Sequence, residues 1–107
     1  MNKITAIKFT PDGEAIVTKI EDTLESLQAA VGGYIETITL SDDFVLICDE
    51  EGVLKGKPRN TLAEMFVGGL VGTVLVAGIS GDEFADVPAG IIRYVADRLG
   101  GIMKEVK

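Results

Sequence analysis

Residues 23–60 read TLESLQAAVGGYIETITLSDDFVLICDEEGVLKGKPRN, and this stretch decides the fold class. Leu24, Leu27 and Val31 recur at helical spacing and give one apolar stripe. Asp22 is the expected N-cap, with Glu25 three residues on in capping-box spacing. Gly32 suits the helix end because it tolerates the left-handed conformation, and Gly33 frees the chain to turn into a strand. Residues 34–40 are rich in β-branched and aromatic side chains, which favour a strand. Ser41, Asp42 and Asp43 turn the chain. Residues 44–48 are almost continuously apolar, as a central strand would be. Residues 49–52 turn it again, and Val53-Leu54 begins a returning edge, which gives a three-stranded meander.

Outward from this stretch, residues 3–9 and 15–20 read as two strands around Pro11-Asp12-Gly13, a hairpin signal. Thr61 opens a short helix with Glu64 in capping-box position and Leu62, Met65 and Phe66 facing inward. Gly68-Gly69 ends it, residues 73–77 form a buried strand, and residues 81–87 form an acidic loop. Pro88 fits the first turn of a final helix whose apolar face is Ile91, Ile92, Val95 and Leu99. Ile102, Met103 and Val106 dock one more turn. With no repeat or linker, the expectation is one α+β domain over residues 1–107. It has a single antiparallel or mixed sheet of about five strands, with two to three helices packed on one face.

Composition narrows the function classes. The net charge is −7, the opposite of the surplus that displaces phosphate counterions, so direct nucleic-acid binding is not expected. The acidity reads first as solubility; a sharper reading is attraction to a basic partner. The N-terminus lacks a secretory pattern. The most apolar run, residues 68–79, is shorter than the roughly 20 residues of a membrane span. A single cysteine, Cys48, forms no internal disulfide and suits a reducing cytoplasm.

Leu27, Gln28, Val31, Gly32, Gly33, Tyr34, Ile35 and Glu36 are followed by Glu50, Glu51, Gly52, Gly56, Pro58 and Asn60. Gly69, Gly72, Thr73 and Gly78 come later. In this string the chain resembles a family of small phage- and plasmid-borne proteins known as a domain of unknown function. Asp49 stands where that pattern more often has asparagine. The resemblance implies a bacterial or phage cytoplasmic setting and a mobile-element origin, and supplies no catalytic residue or substrate.

The chain has no histidine, which removes the commonest general base and metal ligand. Cys48, inside an apolar run, reads as core. Asp42 and Asp43 sit a strand length of roughly 15–20 Å from Asp49, Glu50 and Glu51, too far for paired acid–base work. The glycines of residues 68–73 precede a strand and lack a lysine, so they are not a phosphate loop.

Lys55, Lys57 and Arg59 alternate, so an extended backbone would put all three on one side, with Asn60 beside them. Together they could grip a carboxylate or phosphate; the plainer reading is an edge guarded against aggregation. Tyr34 is the remaining binding candidate.

No catalytic residue, metal or cofactor is expected. The first function class is a non-enzymatic accessory protein that binds a host or phage protein. The alternative is a module that captures a nucleotide or another small anionic ligand through Lys55, Lys57, Arg59 and Asn60. No membrane partner is expected, and a homodimer stays open because exposed strand edges invite pairing.

Overall fold

The computed structural model describes residues 2–101 and 103–105. Strands β1 (Lys3–Phe9) and β2 (Ala15–Glu21) form the expected hairpin, with Lys3 opposite Glu21 and Phe9 opposite Ala15. Helix α1 (Leu24–Val31) follows, then β3 (Ile35–Thr39) and β4 (Phe44–Asp49), paired antiparallel. A 3-10 turn (Leu62–Met65), β5 (Val74–Ser80), β6 (Glu83–Ala85), α2 (Ala89–Arg98) and β7 (Lys104–Glu105) complete the order. The sheet runs β3-β4-β5-β1-β2-β7, and β6 pairs with β5 outside that row. Among the described residues every pairing is antiparallel except the short parallel contact of β2 with β7, so the sheet is mixed.

The α+β class holds, with six strands in the row and a short seventh among the described residues, where about five were expected. The helices do not share a face. Leu27 and Val31 of α1 pack with Ile4, Val45, Ile47, Leu75 and Ala77. Val95 of α2 packs with Ile7, Phe9, Leu46, Cys48, Val74 and Val76. Successive strand residues point to opposite faces, so these are the two sides of one sheet. Strands β4 and β5 are apolar on both faces, and each face needs a cover. On the α2 side the cover includes Phe66, which stacks with Phe9 and meets Phe44 and Tyr94 at centroid distances of 5.5 and 5.7 Å.

Several local expectations shift. Thr23, not Asp22, caps α1: its hydroxyl accepts from the Ser26 N–H at 3.1 Å. Asp22 is still tied to the β1–β2 end, donating its N–H to the Asn2 carbonyl at 2.9 Å. Gly32 ends α1 in the left-handed region at φ 82°. The 3-10 turn is capped by Asn60, whose Oδ1 accepts from the Ala63 N–H, while Thr61 makes no side-chain cap bond.

The expected meander stops at two strands. Residues 50–56 coil in successive turns instead of returning as an edge, and β5 takes the place beside β4. The acidic loop contains β6, since a strand pairs through its backbone and tolerates the polar Glu83 on a short edge. Met103 packs against the core, but in place of one more helical turn Lys104–Glu105 pair with β2 as β7, and Ile102 and Val106 lie outside the described residues. Among the described residues no helix is long and apolar enough to cross a membrane.

Candidate functional site

The hairpin β3–β4 delivers Asp49 to its end, opposite Ile35 and beside the C-terminus of α1. Its side chain has no solvent exposure. The shield is thin: Lys55 and Lys57, themselves 40% and 22% exposed, close over it. Asp49 Oδ2 accepts from Lys55 Nζ at 2.9 Å and from Lys57 Nζ at 2.7 Å. Asp49 Oδ1 accepts from the Glu51 N–H at 2.9 Å. The same ammonium groups donate to the helix end: Lys57 Nζ to the Val31 carbonyl at 2.8 Å, and Lys55 Nζ to the Gly32 carbonyl at 3.1 Å.

The last carbonyls of a helix lack intrahelical partners and carry partial negative charge. Helix α1 has no basic residue in its own last turn, and the two lysines supply that charge from a distant loop. Gly33 keeps the space open, since a Cβ there would stand 2.5 Å from both Asp49 Oδ1 and Lys55 Nζ.

Hydrogen bonds from Lys57 and then Lys55, with the Glu51 N–H, hold the Asp49 carboxyl well below the usual carboxylate range, against the opposing effect of burial. Because the folded value is depressed, the stabilisation is complete above the unfolded value of about 3.9 and is lost as pH falls toward the folded value. Chemical denaturation of wild type at stepped pH is expected to show stability declining below about pH 4. Asp49→Asn should be less stable at neutral pH and have a flatter acid limb. Superimposable acid limbs would show that the charged cluster contributes nothing.

The cluster braces the loop it closes. Between residues 49 and 57 the backbone makes Gly52 N–H to Asp49 carbonyl, Lys55 to Glu51, Gly56 to Val53 and Lys57 to Gly52 bonds of 3.0–3.1 Å. Glu50 N–H reaches the Tyr34 carbonyl at 2.8 Å. The base is zipped to residues 70–72 by Gly72 N–H to Pro58 carbonyl and Asn60 N–H to Leu70 carbonyl bonds. On this fixed loop Val53 and Leu54 stand 74% and 85% exposed, and Tyr34, whose carbonyl anchors Glu50 at the base of the loop, is 64% exposed.

The expected site residues therefore separate. Lys55 and Lys57 do converge, on Asp49 rather than on open space. Arg59 leaves them and pairs with Glu64, Nε to Oε2 at 2.5 Å. Asn60 is fully buried, its amide donating to the Phe9 carbonyl at 3.0 Å and the Gly72 carbonyl at 2.8 Å. Tyr34 remains on the surface.

Asp49 was legible only as a turn acid, although an aspartate closing an apolar strand six and eight residues before two lysines is the pattern such a cluster leaves. Val53 and Leu54 gave no signal apart from two apolar residues between Gly52 and Gly56. Cys48 is buried, and burial first, then the Glu36 and Asp49 carboxylates, pushes its thiol up to about 11, which leaves it protonated and inert near neutrality.

Residues 4–100 match the family model described as "Domain of unknown function (DUF3846)". The chain belongs to the DUF3846 family. No curated protein and no solved structure matches it. The matched span of this DUF3846 domain contains both helices, the Asp49–Lys55–Lys57 cluster and the loop it braces. At the far end of the β3–β4 hairpin the domain has an open depression of about 410 Å³ lined by Thr39, Ser41, Asp42, Ile79 and Gly81. The only charge on that lining is a carboxylate, which repels anions. Among the described residues of the domain no group of three or more acidic or cysteine side chains forms a metal site.

Proposed function

We propose that this DUF3846 domain is a non-catalytic accessory protein of a phage or other mobile element. It works in the cytoplasm by binding a host or phage protein through residues 50–56 and Tyr34. One observation carries this reading: two large apolar side chains, Val53 and Leu54, stand in solvent on a backbone fixed at almost every turn. Exposed apolar groups mark docking surfaces when they are grouped, and a loop already ordered loses little entropy on binding. A rigid scaffold presenting a short loop is the usual arrangement of a binding site.

The test is recovery of a partner from cells of the natural host, with Val53→Asp/Leu54→Asp as the comparison. Both residues are exposed, so the double variant should keep the wild-type melting temperature to within a few degrees, as surface changes stay within about 0.5 kcal/mol. Its affinity should fall by about 30-fold or more, the roughly 2 kcal/mol of an interface hot spot. Equal recovery by both proteins, or no recovery above background, would contradict the proposal.

A further inference from the structure

We infer that the partner surface is an apolar pocket flanked by lysine or arginine on a different protein. This rests on the docking role proposed for residues 50–56. The loop contributes two kinds of exposed group, the apolar Val53 and Leu54 and the carboxylates Glu50 and Glu51. The two cations of the same loop offset those carboxylates only in part, because both ammonium groups bond to Asp49 and the α1 carbonyls, and the Asp49 carboxylate already neutralises one of the two charges. The presented face is therefore an apolar tip with a carboxylate rim.

A second copy of the chain fits this face poorly. Two-fold pairing would set Glu50 and Glu51 near their own equivalents, on molecules that each carry a net charge of −7. A basic rim around an apolar pocket is complementary in both respects. Such complementarity acts mainly on the association rate, which falls as salt screens it.

The experiment places a photo-crosslinking benzoylphenylalanine at Tyr34, a change that keeps an aromatic ring at an exposed position, with the same group at Asp42 on the far turn as control. Crosslinking is run in lysate of the natural host in three backgrounds: wild type, Glu50→Lys/Glu51→Lys, and Val53→Asp/Leu54→Asp. Glu50 and Glu51 hold the loop through backbone groups, their two N–H groups and the Glu51 carbonyl, so the charge reversal leaves those bonds in place.

The expected result is a product specific to position 34 that contains a second protein. Its yield should drop about tenfold or more on charge reversal and on raising salt from about 50 to about 500 mM, and the crosslinked peptide should carry Lys or Arg beside apolar residues. Glu50→Gln/Glu51→Gln should give an intermediate yield, and it guards against a folding defect in the reversal. A product lost with Val53→Asp/Leu54→Asp but indifferent to charge and salt would overturn the basic partner and leave the docking loop standing. A product made of two copies of this chain would also overturn the inference. No product above the position 42 control, or one indifferent to Val53→Asp/Leu54→Asp, would overturn both.

Discussion

Asn60→Ala is expected to lower stability by about 3–5 kcal/mol and the melting temperature by at least about 12 °C. Asn60 is wholly buried and uses both ends of its amide. Nδ2 donates to the Phe9 and Gly72 carbonyls, and Oδ1 accepts from the Ala63 N–H. Alanine leaves three buried backbone groups without that partner, each costing on the order of 1–3 kcal/mol, and a void besides. Those groups lie on the end of β1, the approach to β5 and the 3-10 turn, so one side chain joins three separate segments. Asn60→Asp should be at least as damaging at neutral pH, since a carboxylate would face two carbonyl oxygens. It should recover in part on acidification, when the acid gains a proton to donate. Thermal melts of the three proteins check this, and a drop of under about 3 °C for Asn60→Ala would contradict it.

Gly78→Ala should cost about 3 kcal/mol and more than about 10 °C, for a different reason. Gly78 sits on β5 between Phe44 of β4 and Ala85 of β6. A Cβ there would stand 2.0 Å from the Asp86 carbonyl oxygen and 2.7 Å from its carbon. Both are backbone atoms, so no rotamer relieves the overlap, and the chain after β6 must lift. That chain holds β1: Asp86 Oδ1 accepts from the Thr5 N–H at 2.7 Å, and Val87 N–H donates to the Thr5 carbonyl at 2.8 Å. Hydrogen exchange at Thr5 and Val87 should therefore quicken along with the loss in melting temperature. An unchanged rate there, with wild-type stability, would show that the crossing is looser than described.

Local chemistry was readable in the sequence, and long-range placement was not. Pro11-Asp12-Gly13 gave the first hairpin, and Gly32 gave the end of α1, because each depends on backbone angles within a few residues. The continuous apolar run at residues 44–48 marked a central strand. The same run, with Val74 to Ala77, also requires cover on both sides of the sheet, and placing the helices on one face missed that consequence.

The roles of Lys55 and Lys57 depend on the carbonyls of Val31 and Gly32, more than twenty residues away in the chain, and no spacing rule connects them. Lys55 and Lys57 do come together, but through the turns of residues 50–56 and not along an extended backbone, and Arg59 is drawn off where residues 58–60 meet residues 70–72. Asn60 looked like a ligand-binding amide because its type and position suited one, whereas complete burial commits it to the backbone.

Residues 50–56 act as a rigid loop that holds Val53 and Leu54 ready for a partner. Backbone ¹⁵N relaxation of the isolated protein measures this directly. Order parameters near about 0.85 across the loop, matching those of β4, are predicted; values below about 0.6 at Val53 and Leu54 would contradict the claim.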